Sequence, residues 1–385
     1  MNINEVIYNV GVNDYKIKLF ENQYQVYDGM KYNSYLINDN QIAVLNSVEK
    51  NYVEEWISNI KQIIGKKEIN YLIIQHMEPD HSGGILELLK EYPNIKIVAS
   101  NQAFKMLNNF FNINLVNNQI IVKEKDTLTL GKSKLIFFEA KMIHWPEVMM
   151  IYEVENKVLF SADAFGKFGT NEDELEWEKE ARRYYYGIIG KYGIQVQQIL
   201  KKIRTLDIQY ICSLHGPILK NNINYYLESY DKWSSNQSET KGVVINYCSI
   251  YGNTQKVVYE LEKLLKKEGY EEVILNDLSE CDIHKAISDA FQYPIMILAS
   301  PTYNNNLFTY MKYFLNGIIE RNYHSRIIGL IENGSWNPAS NKIIKDILIS
   351  QKNIIYLKNE ITILSSMNEE IFLKLKDLVY EIINI

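Results

Sequence analysis

Residues 75–84 read Gln-His-Met-Glu-Pro-Asp-His-Ser-Gly-Gly, so His76, Glu78, Asp80 and His81 offer two imidazoles and two carboxylates within six positions. A fold that closes over such a run must neutralise it, because buried carboxylates are costly without a positive partner. A metal centre, of two ions, meets that demand. The donors are nitrogen and oxygen, with no sulfur among them. The compact apolar run Tyr71–Gln75 predicts a strand, and a helix is expected from Ile85. The cluster therefore sits on a loop leaving the carboxyl end of a strand, where a rigid sheet can hold reactive groups.

The chain has six histidines, and four of them, His76, His81, His144 and His215, stand at or just beyond expected strand ends in the first 240 residues. Asp163 follows the expected strand Val158–Ser161 in the same way. Four imidazoles and three carboxylates can hold two ions with one carboxylate bridging. Ions held so are typically about 3.5–4 Å apart and keep open positions for substrate. One histidine at a strand end is more often an ordinary surface or core residue than a ligand; it is the company that marks these four. His284 and His324 have no such company. The first opens an expected surface helix and the second lies in polar Arg321-Asn-Tyr-His-Ser, so both are read as ordinary.

With 385 residues, two domains are expected. Residues 1–240 read as a hairpin-rich α/β unit. Strands are expected at Tyr15–Leu19, Ser34–Ile37, Ile42–Leu45, Gln119–Val122, Thr127–Leu130, Leu135–Glu139, Val148–Glu153 and Tyr210–Leu214, a helix at 53–64 and a long polar helix at 173–204. The polar stretch 234–241 lacks periodicity and reads as a linker. Residues 241–385 then alternate regularly. Strands at 242–248, 272–275, 294–299, 326–331 and 353–357 are each followed by a helix, which predicts a doubly wound parallel sheet covered on both faces.

The first strand of that second domain runs into Ser249, Ile250, Tyr251, Gly252, Asn253 and Thr254 and then a helix. Hydroxyls, an amide, a glycine and a helix N-terminus make a phosphate site without lysine. The third strand ends in Pro301, Thr302, Tyr303, Asn304 and Asn305, and the fourth in Gly334, Ser335 and Trp336. In a sheet of order 2-1-3-4-5, strands one and three flank the switch point where a flavin mononucleotide (FMN) would bind. Gly334 and Trp336 are available to flank its ring.

The net charge of −6, from 41 basic and 47 acidic residues, argues against a protein built to bind nucleic acid. No apolar run reaches the roughly 18 residues a bilayer span needs, and residues 1–5 carry no secretory pattern. Cys212, Cys248 and Cys281 are odd in number and far apart, and read as small buried hydrophobes in a reducing cytoplasm.

The His-x-Glu-x-Asp-His run resembles the metallo-β-lactamase superfamily, whose hydrolases carry His-x-His-x-Asp-His and usually bind zinc. Glu78 stands where the second histidine would be. An added carboxylate makes the donor set harder, which favours iron or manganese over zinc. A domain of this kind, an αββα sandwich, joined to a flavodoxin-like domain with a Ser-x-x-Gly-Asn-Thr phosphate loop, resembles the flavodiiron proteins over essentially the whole chain. The resemblance implies that His76, Glu78 and His144 hold one iron, that Asp80, His81 and His215 hold the other, and that Asp163 bridges. It assigns Ser249–Thr254 to the FMN phosphate, and Pro301–Asn305 and Gly334–Trp336 to the ring.

The activity it implies is reduction of dioxygen to water, of nitric oxide to nitrous oxide, or both, with electrons relayed through FMN. It also implies a head-to-tail homodimer, or a homotetramer made of two such dimers. The sequence lacks paired Cys-x-x-Cys motifs and ends at Ile385, so an external donor such as rubredoxin is expected. Two features depart from the family. The loop Ser335-Trp-Asn-Pro338 lacks further glycines, and Lys167 stands where relatives vary. Trp145 and Pro146 read as packing around His144. The rival reading is a zinc-dependent hydrolase fused to a flavodoxin electron carrier.

Overall fold

A computed structural model describes residues 3–113 and 118–385. The chain divides into two compact units, Met1–Asp231 and Lys232–Ile385. Each unit has its own sheets and its own core.

In the first unit, one six-stranded mixed sheet runs in the order Ile7–Asn9, Tyr35–Asn38, Ile42–Leu45, Tyr71–Ile74, Lys96–Ala99, Gln119–Ile121. A second sheet runs Thr127–Thr129, Lys134–Glu139, Met149–Glu153, Val158–Phe160, Tyr210–Cys212. Alternate side chains of both sheets meet in one core: Tyr35, Ile37, Leu45 and Ile73 from the first pack with Phe137, Met149, Ile151 and Phe160 from the second. The helix Val53–Ile64 turns Val53, Trp56, Ile60 and Ile64 inward, a spacing of three and four that gives it one apolar face. The result is the metallo-β-lactamase-like sandwich expected from the sequence.

The long helix expected over 173–204 is broken. A 3-10 turn Glu174–Glu176, helix Trp177–Tyr184, a π-turn Tyr185–Ile189, a second 3-10 turn Gly190–Tyr192 and helix Gly193–Ile203 occupy it. It is also less polar than expected, because Trp177, Tyr184, Tyr185 and Tyr186 are fully buried. π-turns often occur at functional sites, and Tyr184 lies at the wall of the site described below. Of the expected strand Tyr15–Leu19 only Leu19 is extended, paired as Leu19–Phe20 with Tyr24–Gln25. Asp14 instead accepts the backbone N–H groups of Lys16 and Ile17, which turns the chain.

The second unit has the strand order Val273–Asp277, Val243–Tyr247, Ile295–Tyr303, Arg326–Asn333, Ile354–Tyr356, all parallel. This is the 2-1-3-4-5 order of a flavodoxin-like sheet. A further strand, Ile361–Ile363, also pairs with Arg326–Asn333. Within 232–240, Asn236 donates to the Asn322 carbonyl at 2.9 Å and the Glu239 N–H to the Gln292 carbonyl at 2.9 Å. Exposed polar residues carry no periodicity, so the sequence does not reveal which side they join.

His284 is buried at the start of helix Ile283–Gln292, not on its exposed face. Cys212 and Cys248 are buried and Cys281 is half-buried.

Gly83 closes the ligand loop against the neighbouring chain. A Cβ there would stand 2.6 Å from the Lys50 nitrogen and 2.9 Å from the Val48 carbonyl oxygen. Gly83→Ala is expected to destabilise the protein by about 1–3 kcal/mol and to lower its bound metal. Thermal unfolding with parallel metal quantitation checks both.

Candidate metal centre and second-unit cavity

Gln75 fixes where the ligand run leaves its strand. Its side chain donates to the Met149 carbonyl at 3.0 Å and the Phe160 carbonyl at 2.9 Å, on the opposite sheet, and accepts from Asn46 at 3.1 Å. His76 follows directly. Asp80 and His81 then lie in a short helical turn, Pro79–Ser82, not in an open loop. His144, Asp163 and His215 arrive from the ends of strands of the second sheet.

These seven side chains converge as two groups. In the first, Glu78 Oε2 lies 3.1 Å from His76 Nε2 and 3.0 Å from His144 Nε2. Asp163 Oδ2 lies 3.3 Å from His76 Nε2 and 3.1 Å from His144 Nε2. In the second, His81 Nε2 and His215 Nε2 are 3.0 Å apart, and Asp80 Oδ2 is 3.3 Å from the former and 3.4 Å from the latter. Asp163 Oδ1 turns to this group, 3.2 Å from His81 Nε2 and 3.9 Å from His215 Nε2. One carboxylate thus presents one oxygen to each group.

Both oxygens of Asp80 and of Asp163 are buried and accept no hydrogen bond of ordinary geometry. They are near the imidazole nitrogens without being aimed along N–H bonds, so the donor atoms face common points between them. Two imidazole nitrogens 3.0 Å apart make the same statement. A cation at each point satisfies every one of these atoms, and the residues present fit a two-metal centre of nitrogen and oxygen donors.

In the second unit, a cavity of about 480 Å³ opens at the carboxyl ends of the strands. Every residue expected there from the sequence lines it except Gly252, and Asn333, Asn337 and Ser365 join them. Gly252, at φ +81°, takes the left-handed turn that starts helix Asn253–Lys267. Asn333 donates to Thr254 Oγ1 at 3.3 Å and to the Ser365 carbonyl at 3.2 Å, tying three loops together. Tyr251 and Trp336 are 89% and 86% exposed, large apolar surfaces left facing solvent at the cavity mouth. Among the described residues no lysine or arginine lines it, so a phosphate would rest on hydroxyls, amides and the helix N-terminus.

A sequence model described as the ODP family beta lactamase matches residues 30–216. The flavo-diiron protein FprA2 of Clostridium acetobutylicum is 32% identical over 322 residues, 79% of each chain. This chain belongs to the flavodiiron protein family. The nitric oxide reductase of Moorella thermoacetica is 28% identical over 360 residues, 91% of this chain and 90% of that one. The solved structure of rubredoxin oxygen:oxidoreductase from the anaerobe Desulfovibrio gigas has a TM-score of 0.92 at 25% identity, over 100% of this chain and 98% of that one.

Several residues of this flavodiiron protein's centre were not legible beforehand. Glu147 is buried, and its Oε1 lies 2.8 Å from His76 Nδ1 and accepts the Met77 N–H at 2.9 Å. His215 Nδ1 lies 2.7 Å from the Lys31 carbonyl. Each contact places the ring proton on Nδ1 and frees Nε2 to face a metal. Trp145 packs edge-on against His76 at 5.2 Å. Phe20 and Tyr184 wall His215, at 5.3 and 5.5 Å. At the mouth, desolvation and the charge of Glu78 push the Glu21 carboxyl up to about 7. The only prior sign of Glu147 was an acidic residue three positions after His144.

Without cations the cluster holds protons. Burial opposes charge on His144, but the adjacent carboxylates of Asp163 and Glu78 outweigh it and lift the imidazole to about 9. Burial likewise opposes charge on His76, yet Asp163, Glu147 and Glu78 hold it well above its ordinary value. Burial would raise the Asp163 carboxyl, but His76, His81 and His144 hold it well below the usual range. Metal must displace these imidazole protons. Ferrous loading of metal-free protein at neutral pH is therefore expected to release protons, and its affinity to rise with pH through about 9, where His144 gives up its proton. An anaerobic pH-stat titration measures both. Glu147→Ala is expected to weaken metal binding by about 10–100-fold, and Glu147→Gln by less, since its amide oxygen still accepts. Competition with a chelator ranks them.

Proposed function

We propose that this protein is a cytoplasmic flavodiiron oxidoreductase that reduces dioxygen to water, nitric oxide to nitrous oxide, or both. In this reading, His76, Glu78 and His144 hold one iron, Asp80, His81 and His215 hold the other, and Asp163 bridges them. FMN occupies the second-unit cavity, its phosphate on Ser249–Thr254 and its ring among Pro301–Asn305 and Gly334–Trp336. The irons and FMN supply the redox chemistry when bound, electrons from a rubredoxin-type donor entering through the flavin. The observation that carries the reading is Asp163, which turns Oδ2 to one ligand group and Oδ1 to the other.

The protein's own groups position the chemistry. Glu147 and the Lys31 carbonyl hold His76 and His215 by their outer nitrogens, so the inner ones cannot swing away. Phe20, Tyr32 and Tyr184 exclude water from the far side of His215. Glu78 and Asp80 are the more exposed carboxylates, with 14% and 11% of their side chains accessible against 1% for Asp163, which leaves the approach to the centre on their side.

Relatives carry names that match both substrates. One is called a rubredoxin-oxygen oxidoreductase, from Megalodesulfovibrio gigas, and another a nitric oxide reductase. The three free cysteines agree with a reducing compartment. The working assembly is a head-to-tail homodimer, in which the flavin of one copy serves the irons of its partner.

Purified active protein should carry two irons and one FMN per chain. Reduced anaerobically, it should consume dioxygen or nitric oxide with reduced rubredoxin as donor and not with NADH alone. Asp163→Ala should lose turnover together with iron. Active protein containing zinc and no iron would favour the hydrolase reading instead. An active monomer in analytical ultracentrifugation would overturn the shared-site dimer.

A further inference from the structure

The turn over residues 161–166 carries Asp163 between two left-handed residues, Ala162 at φ +52° and Phe165 at φ +66°. A bulky residue rarely adopts that conformation, and it persists only where the surroundings hold it. Part of the hold is local. Ser161 Oγ donates to the Ala164 carbonyl at 2.6 Å, and the Gly166 N–H to the Asp163 carbonyl at 3.0 Å. Leu214, beside His215, donates its N–H to the Ala162 carbonyl at 2.9 Å.

The rest of the hold comes from two helices further along the chain. Phe165 is buried, and among the described residues neither its N–H nor its carbonyl has a backbone partner. Its N–H donates to the hydroxyl oxygen of Tyr230, on helix Ile223–Ser234, at 2.5 Å. Its carbonyl accepts the indole N–H of Trp177, the first residue of helix Trp177–Tyr184, at 2.9 Å. The rings of Phe165 and Tyr230 lie with centroids 4.1 Å apart, and that of Trp177 stands 6.5 Å from Tyr230. Buried backbone groups must be paired. These two side chains therefore fix both polar groups of Phe165, and with them the path of the chain just after Asp163.

A tyrosine or tryptophan in a core commonly finds a partner for its polar atom. Here both partners are the same residue, two positions from the carboxylate shared by the two ligand groups. Asp163 offers Oδ2 to one group and Oδ1 to the other, 3.1 to 3.3 Å from the nearest imidazole nitrogens. A small turn of that carboxylate moves a donor away from both groups at once. His76 and His215 each have a partner of their own at Nδ1. The Asp163 oxygens have no hydrogen bond of ordinary geometry, so their aim depends on the backbone that carries them.

We infer that Tyr230 and Trp177 are positioning residues for the shared carboxylate: through Phe165 they aim Asp163 at both metal positions. The inference rests on the reading above in which Asp163 bridges two irons.

The test compares wild-type holoprotein with Tyr230→Phe, which keeps the ring and loses the acceptor. Anaerobic competition with a chelator measures the two ferrous affinities. Magnetic circular dichroism of the diferrous protein measures the exchange coupling between the irons. Tyr230→Phe should weaken both ferrous affinities by about tenfold and change the coupling, with FMN content unchanged. Trp177→Phe, which removes the indole N–H, should give the same pattern independently. Tyr226→Phe is the control. It removes a hydroxyl from the same helix, one that donates to Glu174 at 3.0 Å, and should leave both affinities and the coupling as in the wild type. The inference is overturned if Tyr230→Phe matches the wild type, if it weakens one affinity only, or if Tyr226→Phe weakens both as much. Two uncoupled irons in the wild type would refute the bridge itself, and the inference with it.

Discussion

Four imidazoles and three carboxylates gathered around two buried points are unstable company without cations, and much of the first unit is arranged to keep them there. The sheets are stitched at the site itself. Gln75 reaches from the first sheet to two carbonyls of the second. Asn33 donates to the carbonyls of Ser213 and Gly216 at 2.9 and 3.0 Å, and Tyr35 to that of Ser213 at 2.6 Å, so the loop bearing His215 is held from the opposite sheet. Each of these polar groups is buried and matched. Side chains that must not move are thus anchored through their own backbone. Asp80 and Asp163 keep both carboxylate oxygens bare, and those oxygens face the metal positions.

The second unit solves a different problem with different means. Its cavity has no cation, so an anionic ligand must be held by dipoles and hydroxyls. The parallel sheet makes that possible by delivering the first and third strands' loops side by side at the switch point. The loops are cross-braced by their side chains, with Asn333 on Thr254 at 3.3 Å and Thr302 on Ser340 at 3.0 Å. Exposed Tyr251, Tyr303 and Trp336 leave large apolar surfaces at the mouth of that cavity.

What could be read from the sequence follows from how local each signal is. The ligand run, the Ser249–Thr254 loop and the helix–strand alternation after residue 241 are short local patterns; the structure gathers the first into the two donor groups, brings most of the second to the cavity and forms the third, though Asp80 and His81 stand in a helical turn and not an open loop. The His215–Lys31 carbonyl contact spans 184 positions and uses a backbone atom, so no residue type announces it. Glu147 was invisible because an acidic residue beside a histidine is ordinary until the fold turns it onto His76. The helix over 173–204 was misread because Tyr184, Tyr185 and Tyr186 are buried in succession, which a regular helix cannot do on one face; the π-turn there rotates the chain to bury all three.

Glu78 shows how a single substitution redirects such a scaffold. Three carboxylates facing two dications leave one positive charge on the centre, where a histidine at that position would leave two. The lower residual charge eases loss of electrons from the metals, because each added positive charge in a desolvated pocket is opposed by a nearer anion. It also hardens the donor set, away from the softer preferences of zinc. The same fold that elsewhere polarises a water for hydrolysis is, with one more oxygen donor, suited to metals that change oxidation state. That requirement explains why a flavin-type cavity is carried on the same chain: a centre that gives up electrons needs them returned.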